Sequence, residues 1–468
     1  MGKYFGTDGI RGKAERFTPE FIGAVAGGLK DYAERIGMGK GVEGNDDGAE
    51  KMGVKVLLGG DTRESTEWIL RDFEKAFDGM GIEYANVGVL PTPAINYVFY
   101  DINYDFAIDV TASHNPYTDN GIKVFERGDY YGVKLGRDGV EAIEKSLDEM
   151  KPVTMVGGEE VEMIHEEAVE LYLKHLRDYV DKIGPEGLVR EGVDFTGMRI
   201  GLDCANGATS VTARRIFEEL GAEVTVIHDD GKYGTGINQG CGSTHIEELQ
   251  RLVEEGRLDF GAAFDGDGDR CLMVDHTGAV VDGDEMLAIL AEWLELPTLA
   301  ITVMANQGLF NWAEKAGVEM EVTDVGDANV FRRMQEKGVL LGGEQSGHII
   351  LPGEPMGDGV LTALVMTKVV FLTHKSLHDL AGIVKKLPQV IFNMPASAEE
   401  KKMEGCEEIL AEYEAKIGEM GGRMLVRPSG TEELIRITVW GENEGEIRAF
   451  AEELGGKIRG KLDEGAGR

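Results

Sequence analysis

Three stretches of the chain repeat one pattern, in which an apolar, β-rich run ends in a polar or glycine-containing turn and a helix-like segment follows. The runs are VKVLLGGDTR at residues 54–63, MRIGLDCANG at 198–207 and LAITVMANQG at 299–308. Strands that alternate with helices in this way predict sheets of mostly parallel strands covered by helices. The units begin about 100–150 residues apart, which is the usual size of a domain. We therefore expect three similar α/β domains with mixed, mostly parallel sheets.

The end of the chain lacks this pattern. Its periodicity predicts a helix, a strand, a second helix and then strands around RMLVRPSGTEELIRITVWG at residues 423–441, which is typical of a small α+β domain. The linker between the first two domains is expected near Pro152. The predicted domains are α/β domain I at 1–151, α/β domain II at 152–278, α/β domain III at 279–374 and α+β domain IV at 375–468.

Composition limits the classes of partner. The formal net charge of −37 argues against a nucleic acid, which needs a basic footprint, whereas a phosphorylated small molecule needs only a few local cations. No apolar run is long enough to cross a membrane, and MGKYFGTDGI lacks the apolar centre of a signal peptide, so a cytoplasmic location is predicted. Four cysteines without a C-x-x-C pair predict reduced thiols. The acidic segment 39–53 is expected to be a surface loop.

The most specific local motif is AAFDGDGDR, in which Asp265, Asp267 and Asp269 alternate with glycines after an apolar run. Three carboxylates in a tight loop are suitable ligands for a hard divalent cation such as Mg²⁺, which phosphate oxygens commonly complete. An EF-hand is excluded because its sixth position is Arg270 and its twelfth is His276. A solvated Asp-Gly turn is the alternative. If a phosphoryl group binds here, Arg270 could stabilise its charge.

Ser113 lies in TASHNP, directly after another apolar run. An Asn-Pro turn with a hydroxyl that satisfies backbone groups is one interpretation. A nucleophilic serine is the other, and it needs an activating neighbour, for which His114 and Lys123 are the candidates. No G-x-S-x-G motif is present, so serine-hydrolase chemistry has little support. Taken alone, the motif leaves both interpretations open.

RPSGTEE, near the C-terminus, has the composition of a phosphate-binding turn. Arg427 supplies charge, Ser429 and Thr431 supply hydroxyls, Gly430 supplies flexibility, and Arg436 is a second candidate cation. Ordinary turns also contain Ser-Gly-Thr, so the motif is weak when it stands alone.

GGEQSGHII offers groups that could bind the hydroxyls of a sugar. These are the side chains of Glu344, Gln345, Ser346 and His348 in a glycine-flanked loop, and buried polar groups of this kind discriminate well between sugars. Near the N-terminus, YFGTDGIRG contributes Arg11 as a candidate phosphate ligand. Each motif also has an explanation without function. His348 could be a hydrogen-bonded loop histidine, and YFGTDGIRG could be a turn shaped by its glycines.

Taken in order, these four loops resemble those of the α-D-phosphohexomutases, in which TASHNP is similar to the phosphoserine loop, DGDGDR to the metal loop, GEQSGH to the sugar loop and RPSGT to the phosphate loop. The resemblance covers nearly the whole chain. YFGTDGIRG, GINQGCGSTHIEEL, VMANQGL and LLGGEQSGHII, with Gln345, are most similar to the branch that acts on glucosamine phosphates. The chain departs from the family pattern in two places, at Glu433, where proline is usual, and in VGDANVF, which lacks a basic residue after its aspartate.

The resemblance implies four domains around a central cleft and a phosphoserine at Ser113. It also implies one Mg²⁺ per chain, bound by that phosphoserine with the three aspartates, and a sugar 1,6-bisphosphate as intermediate and activator. The implied catalytic residues are Ser113, Lys123, His114 and Arg11, with Lys123 first for proton transfer. The implied substrate-binding residues are Arg270, Glu344, Gln345, Ser346, His348, Arg427, Ser429, Gly430, Thr431 and Arg436.

The expected partner is a small phosphosugar, with no nucleic acid and no membrane, and a homo-oligomer is one alternative for the assembly. Three other functions stay open. The reaction that the resemblance implies is the interconversion of glucosamine 6-phosphate and glucosamine 1-phosphate, and the same reaction could instead act on glucose or mannose phosphates. The chain could also be a metal-dependent sugar phosphatase, or it could bind a sugar phosphate or Ca²⁺ without catalysis.

Overall fold

The computed structural model describes residues 2–6, 8–38, 53–157, 163–185, 192–429 and 433–466. Gly430 and Thr431 of the predicted phosphate loop and residues 39–52 of the acidic segment lie outside the described residues. Within these ranges the chain forms sheets of seven, five, four and three strands. Among the helices in these ranges, none has the length and apolarity needed to span a membrane.

The first sheet carries most of the N-terminal third of the chain. Its strands and helices are β1 Phe5–Gly6, β2 Gly9–Lys13, α1 Pro19–Arg35, β3 Lys55–Gly60, α2 Glu64–Met80, β4 Glu83–Val89, α3 Thr92–Asp101, β5 Phe106–Val110, β6 Asp119–Arg127, β7 Gly132–Lys134 and α4 Arg137–Glu149. The order is β1-β2-β6-β5-β3-β4, with β7 on β6. β3 pairs in parallel with β4 and β5, whereas β6 is antiparallel to β5 and β2.

Alternation along β3 explains why helices cover both faces of this sheet. Val56 and Leu58 pack against α1, α2 and α4, whereas Leu57 points to the other face, against α3 and the next helix, α5 His165–Lys182. Successive strand residues point to opposite faces, so an uninterrupted apolar strand requires cover on both sides.

The second sheet is again mixed. Its elements are β8 Arg199–Asp203, α6 Ala213–Glu219, β9 Glu223–Ile227, α7 Glu247–Gly256, β10 Phe260–Phe264, β11 Cys271–Asp275 and β12 Val280–Val281. The order is β12-β11-β10-β8-β9, with β9, β8 and β10 parallel and the other pairs antiparallel.

The third sheet has the order β14-β13-β15-β16 and is parallel except for its last pair. The elements are α8 Gly283–Trp293, β13 Thr298–Thr302, α9 Gln307–Ala316, β14 Glu319–Thr323, α10 Asp327–Lys337, β15 Gly342–Gly343, β16 Ile349–Ile350 and α11 Gly359–Thr373. Every residue of α11 from Gly359 to Val370 is buried. α11 packs against α5, α8 and β11, so it lies where the first three sheets meet.

The C-terminal part is a three-stranded antiparallel sheet with helices. It contains α12 Leu377–Ala381, β17 Gln389–Pro395, α13 Glu407–Glu419, β18 Arg423–Pro428, β19 Leu434–Trp440 and α14 Glu444–Ala466. The predicted fold class, three α/β units and a C-terminal α+β unit, is confirmed. The long helix α14 is an addition, because the sequence analysis predicted strands around residues 423–441 and no helix after them.

One half-buried arginine connects the fourth sheet to the third. Arg423 donates from Nη1 to the carbonyl of Val303, at 3.1 Å, and from Nη2 to the carbonyl of Ala305. Its guanidinium lies over the Trp440 ring, 4.1 Å from the centroid. Because burial lowers the pKa of Arg423 to about 10, these carbonyls and the ring compensate only in part for its lost hydration.

Candidate active site

The loop after β5 holds Ser113 in a strained, buried position. Its φ is +53° and its side chain is 1% exposed. The backbone N–H donates to Oγ1 of Thr111 at 2.9 Å, and the hydroxyl donates to Oδ2 of Asp265 at 2.7 Å. Nδ1 of His114 lies 3.3 Å from the same hydroxyl. A left-handed φ at a non-glycine residue is uncommon and persists only where its surroundings fix it.

Those surroundings are dominated by Arg63, which is fully buried. Nη2 donates to the carbonyls of Ser113, at 2.7 Å, and Asn115, at 2.9 Å, and Nη1 donates to those of Pro116 and Asp119, at 2.6 and 3.0 Å. One guanidinium therefore binds four carbonyls of the loop that carries the serine, and this rigid fork fixes the path of the loop.

The charge of Arg63 is balanced by Asp61, also fully buried, at 2.8 Å from Nε to Oδ2. The same carboxylate accepts from the hydroxyls of Thr66, at 3.0 Å, and Thr111, at 2.7 Å. Buried charges are tolerated where every polar atom is paired in this way. Through Thr111 the network also reaches the N–H of Ser113.

A segment of the second domain contacts the same loop. Nδ2 of Asn238 donates to the carbonyl of Ser113 at 2.8 Å and lies 3.2 Å from that of Asn115. Nearby, Gly234 exchanges backbone hydrogen bonds with the segment around Arg63, as acceptor from Glu64 N–H and as donor to Thr62. The carbonyl of Ser113 is therefore bound from two domains at once.

The loop after β10 brings the three predicted aspartates together. Asp265, Asp267 and Asp269 are 0%, 1% and 7% exposed, and one oxygen of each lies within 4.8 Å of the others. Glycine is required at two positions, because Gly268 has a φ of +72° and a Cβ at Gly266 would lie 2.6 Å from the Ser113 carbonyl oxygen.

The electrostatics of this cluster favour a bound cation. Burial, followed by the charges of Asp269 and Asp267, raises the pKa of Asp265 well above its usual value. Burial also opposes ionisation of Asp269, but Lys123 and His348 hold its pKa well below the usual range. The Oδ1 atoms of Asp267 and Asp269 are buried and have no hydrogen-bond partner among the described residues.

The three aspartates offer the ligand atoms that the predicted magnesium ion requires. The donor set consists only of carboxylate oxygens, two of them buried without a hydrogen bond among the described residues. Hard divalent cations take oxygen ligands of this kind. The residues present fit a hard divalent cation.

Lys123 lies against the same cluster. Its Nζ is 2.7 Å from Asp267, 3.4 Å from Asp269 and 3.5 Å from Asp8. Burial opposes the charge of this ammonium, but Asp267, Asp8 and Asp269 together raise its pKa well above the usual value. For His114 the balance is reversed, because burial and the cations Arg270 and Arg11 lower the pKa of its imidazole to about 4.

Two arginines border the site. Arg11 on β2 pairs with Asp8, and although burial opposes its charge, Asp8 and the aspartate loop raise its pKa. Arg270 follows the aspartates, with its backbone N–H on Oδ1 of Asp265 at 3.2 Å and its Nε 3.7 Å from Asp269. Its Nε is buried without a hydrogen-bond partner among the described residues.

The predicted sugar loop is the turn between β15 and β16, and it packs beside the aspartate loop. Cys271, which follows Arg270, donates its N–H to the carbonyl of Gly347 at 3.1 Å. Oε1 of Glu344 accepts from the N–H of Gly326 at 3.0 Å, and Nε2 of Gln345 lies 3.4 Å from Asp282. The Ser346 hydroxyl is buried and has no hydrogen-bond partner among the described residues.

His348, from the same turn, lies behind the aspartate loop and is 3% exposed. Its Nε2 accepts from the N–H of Gly357 at 2.9 Å, and its Nδ1 is 3.7 Å from Oδ2 of Asp269. Because a backbone N–H can only donate, Nε2 carries a lone pair and the ring proton lies on Nδ1, towards Asp269.

Arg427 and Arg436 of the predicted phosphate loop occupy directly opposed positions on β18 and β19. Burial and then the charge of Arg436 lower the pKa of Arg427, whereas Asp324 of the third domain raises it. Ser429 is 5% exposed, and its N–H donates to the carbonyl of Leu434 at 2.9 Å. The described part of this loop lies at the end of β18, in the fourth sheet.

The sequence analysis missed the residues that hold the serine loop. Asp61 and Arg63 lie in the turn of VKVLLGGDTR, the first repeated unit, where the carboxyl ends of parallel strands commonly carry functional loops. That position was the available signal. For Asn238, in GINQGCGSTH, the sequence carried no signal of a contact with Ser113.

Comparison with known proteins covers the whole chain. Four domain models of phosphoglucomutase/phosphomannomutase match in order, with α/β/α domain I at residues 2–153, domain II at 177–278, domain III at 282–387 and the C-terminal domain at 390–456. Phosphoglucosamine mutase from Caldicellulosiruptor bescii is 39% identical, over 99% of this chain and all of that protein. Phosphoglucosamine mutase from Geobacillus kaustophilus is 38% identical, over 99% of each chain.

Solved structures have the same fold. A phosphoglucomutase/phosphomannomutase family protein from Burkholderia thailandensis matches with a TM-score of 0.71 at 18% identity, over 96% of this chain and 95% of that one. N-acetylphosphoglucosamine mutase from Aspergillus fumigatus, in complex with GlcNAc-6P and magnesium, matches with a TM-score of 0.65 at 16% identity, over 98% and 96%. Because four domain models and full-length relatives match, this chain belongs to the phosphoglucomutase/phosphomannomutase family, the α-D-phosphohexomutases.

Proposed function

We propose that this protein interconverts glucosamine 6-phosphate and glucosamine 1-phosphate, with phosphorylated Ser113 as the phosphoryl donor and glucosamine 1,6-bisphosphate as the intermediate. The full-length relatives at 38–39% identity, called phosphoglucosamine mutase, support the amino sugar. Family membership supports the reaction class. The protein is then an intramolecular phosphotransferase, that is, a phosphohexomutase.

One observation carries the proposal, the 2.7 Å hydrogen bond from the Ser113 hydroxyl to Asp265. It places a buried serine against three carboxylates that, without a cation, would repel one another. A phosphate on Oγ would add an oxygen ligand to a cation held by the carboxylates, and its negative charge would be balanced by that cation and by the nearby arginines. A simple turn hydroxyl would not need this arrangement.

In the first transfer, a sugar hydroxyl attacks the phosphorus of phosphorylated Ser113, the P–Oγ bond breaks, and the hydroxyl proton is transferred away while serine Oγ regains a proton. The bisphosphate then reverses in the cleft. In the second transfer, Ser113 Oγ loses its proton and attacks the other phosphorus, the bond between that phosphorus and the sugar oxygen breaks, and the sugar oxygen takes up a proton. The enzyme ends phosphorylated again, and the sugar phosphate has been isomerised.

Mg²⁺ is the proposed cation, held by Asp265, Asp267, Asp269 and the phosphate of Ser113. When bound, it would supply charge neutralisation for the phosphoryl group. Glucosamine 1,6-bisphosphate would serve as activator, because it can phosphorylate Ser113 in enzyme that has lost its phosphate.

The chain's own groups would bind and orient the reactants. Arg11 and Arg270 lie at the border of the site and are suited to hold phosphate oxygens. Lys123 is the proposed group for proton transfer to and from the sugar hydroxyl, and His114, 3.3 Å from the serine hydroxyl, is proposed to act on Oγ. Enclosure by the loops would keep water from the phosphoserine.

The remaining assignments follow the loops. Glu344, Gln345 and Ser346 are proposed to bind the sugar, and Glu344 offers a carboxylate to its amino group. His348, from the same turn, is also proposed to contribute to substrate binding. The non-reacting phosphate is proposed to bind at Arg427, Ser429, Gly430, Thr431 and Arg436. The domain limits 1–151, 152–278, 279–374 and 375–468 and the cytoplasmic location also stay predictions.

A substrate panel tests the proposal. Glucosamine, glucose and mannose 6-phosphates are compared at equal concentration with Mg²⁺ and the matching 1,6-bisphosphate, and the 1-phosphates are measured by phosphorus NMR. We expect glucosamine phosphate to give the highest kcat/KM. If kcat/KM were at least tenfold higher for glucose or mannose phosphate, the proposed function would have to be replaced by the same reaction on that neutral sugar.

The same spectra separate the remaining alternatives. A phosphatase releases inorganic phosphate without forming the sugar 1-phosphate. A non-catalytic binding protein leaves the sugar 6-phosphate unchanged. An intact mass about 80 Da above the sequence mass, absent in Ser113→Ala, is expected for a mutase and would contradict a protein that only binds.

A further inference from the structure

The described residues contain a second group of three possible metal ligands besides the aspartate loop. It consists of Asp203, His228 and Cys241, and one ligand atom of each lies within 4.8 Å of the others. Asp203 and Cys241 are fully buried, and the His228 side chain is 22% exposed. The geometry points to a binding site for a thiophilic divalent cation, zinc, at the edge of the second sheet.

The sheet itself brings these residues together. Asp203 is the last residue of β8 and pairs in register with Ile227, the last residue of the parallel strand β9, so His228 follows directly beside it. Cys241 belongs to a third segment, which is fixed to the same carboxylate because the N–H of Gly242 donates to Oδ2 of Asp203 at 2.9 Å. Three separate segments therefore supply one ligand each.

The donor atoms select the class of cation. A carboxylate oxygen, an imidazole nitrogen and a sulfur form a mixed set that suits Zn²⁺, whereas Mg²⁺ and Ca²⁺ take oxygen ligands. Around tetrahedral zinc, neighbouring ligand atoms lie on the order of 3.5 Å apart. The Asp203 Oδ1 to His228 Nδ1 distance is 3.1 Å, and the 4.8 Å limit for the sulfur requires only a small side-chain adjustment.

The ring of His228 is oriented as in metal-binding histidines. Its Nδ1 faces Asp203, and its Nε2 lies 3.3 Å from Oε2 of Glu248 on α7. Metal-binding histidines usually donate their other ring N–H to a carboxylate of this kind, which sets the tautomer. Asp203 is held as well, because Oδ1 accepts from the N–H of Ala205 at 2.9 Å.

The competing explanation is an Asp–His pair beside an inert buried thiol. The Cys241 thiol donates to the carbonyl of Gly236 at 3.9 Å, and such a thiol hydrogen bond is weak. It does not account for a sulfur placed next to both polar groups. On zinc binding, the thiol proton of Cys241 leaves to solvent as the Zn–S bond forms, and His228 keeps its proton on Nε2.

A cation at this site would stabilise the segment that contains Asn238 and Cys241, which contacts the serine loop. Asn238, three residues before Cys241, donates to the carbonyl of Ser113, and its N–H donates to the carbonyl of Ala205. A cation that joins the ends of β8 and β9 to Cys241 would hold this segment in place. The inference does not rest on the proposed reaction, because the ligands lie outside the aspartate loop.

Cobalt replaces zinc as a spectroscopic probe. The full-length protein, with Mg²⁺ in excess to occupy the aspartate loop, is titrated with Co²⁺ under anaerobic conditions. We expect a thiolate-to-cobalt charge-transfer band that saturates at one equivalent, because only a bound sulfur produces it. X-ray absorption of the zinc-loaded protein should show one sulfur at about 2.3 Å and nitrogen or oxygen at about 2.0 Å.

Variants assign the band. Cys241→Ser and His228→Ala should abolish it, whereas Cys406→Ser, which changes a buried thiol in the fourth domain, and Asp265→Asn should retain it. Zinc affinity, measured against a chelator, should fall at least about 100-fold in His228→Ala and by about 10–100-fold in Glu248→Gln. A wild-type protein without the charge-transfer band, or a zinc spectrum with no sulfur, would overturn the inference even if the variants fail to fold. A band that survives Cys241→Ser would also overturn it.

Discussion

The serine loop and the phosphate loop would hold the two ends of the same bisphosphate, but they are built in opposite ways. Around Ser113, four carbonyls are bound by Arg63, whose own charge is balanced by Asp61 in the interior. On the fourth sheet, Arg427 and Arg436 are directly opposed, and like charges in that position destabilise a strand pair. Positive charge at the serine loop is paired with a buried carboxylate, whereas at the phosphate loop two arginines lie directly opposite each other on neighbouring strands.

This difference corresponds to two tasks. A reacting phosphate must be held to within a fraction of an ångström, which requires a frame that is complete before the substrate arrives. A non-reacting phosphate must be bound in both orientations of a sugar that reverses between steps. Opposed arginines suit the second task, because the ligand's charge relieves their repulsion and no single geometry is imposed.

The sharpest test of this division is Ser113→Ala. We expect mutase activity to fall by at least about 10⁴-fold, the scale seen when a covalent nucleophile is removed, and the phosphorylated mass to disappear. Ser429→Ala is the matched control in the phosphate loop, and it should keep the phosphoserine and change mainly KM. If Ser113→Ala kept more than a tenth of the rate, the serine loop would not be the reacting end.

Arg63→Met tests whether the frame is essential. It leaves Asp61 buried without its partner, so we expect the free energy of unfolding in urea to fall by about 3–5 kcal/mol and kcat by about 100-fold, since a small misplacement of the serine is costly. The same change at Arg427 should alter stability by no more than about 1 kcal/mol.

The double variant Asp61→Asn/Arg63→Met separates stability from positioning. Removing the orphaned charge should restore part of the lost stability, but not the rate, because the serine loop still lacks the four hydrogen bonds that Arg63 donates to its carbonyls. A double variant with near-normal kcat would show that Arg63 acts only on stability.

The same contrast explains what the sequence could predict. The strands β3, β8 and β13 and the aspartate loop follow from local patterns, an apolar run and three carboxylates on alternate residues, and all were predicted. Arg63 was not, because its partners are backbone carbonyls about 50 residues away in sequence. No residue type marks a carbonyl that will need a donor.

Two other differences have the same cause. The position of His348 next to Asp269 and Gly357 was not predicted, because it depends on which loops pack together; its role in substrate binding stays a prediction. The long helix α14 was missed because its many glycines and charges weaken the apolar periodicity, and its packing against β17 and β19 compensates for that weakness. Tertiary contacts decided both outcomes.

A third prediction concerns the phosphate loop. Arg427→Met should raise KM for the sugar phosphate by about 10–100-fold, the value of one or two charge-assisted hydrogen bonds, while kcat stays within about threefold. Steady-state kinetics measures both constants. Arg448→Met, on the exposed face of α14 and paired with Glu444, should change neither, and a large fall in kcat for Arg427→Met would remove the distinction between the two loops.

The smallest expected effect concerns Asp358, which caps α11 behind the aspartate loop. It accepts from the N–H of Leu361 and the hydroxyl of Tyr172, both at 2.8 Å, and the next residue, Gly359, donates its N–H to the carbonyl of Gly268 at 2.9 Å. Burial raises the pKa of Asp358 to about 6. The folded state therefore binds this proton more tightly than the unfolded chain, in which the carboxyl has a pKa of about 3.9.

Ionisation of Asp358 must then oppose folding as the pH rises from about 4 to above 6. Asp358→Asn keeps the capping oxygen but carries no charge, so its stability relative to the wild type should increase by about 1–2 kcal/mol between pH 4.5 and pH 7.5, measured by urea unfolding. Asp379→Asn, in the first turn of α12, is the control, because hydrogen bonding to Ser376 lowers the pKa of Asp379. The pH dependence of that carboxyl therefore lies below about pH 4, and the difference between Asp379→Asn and the wild type should stay constant between pH 4.5 and pH 7.5. If the difference in free energy of unfolding between Asp358→Asn and the wild type did not change with pH, the ionised carboxylate of Asp358 would be stabilised in the folded protein as well as it is in water. Its charge, in addition to its capping hydrogen bond, would then help to hold the aspartate loop.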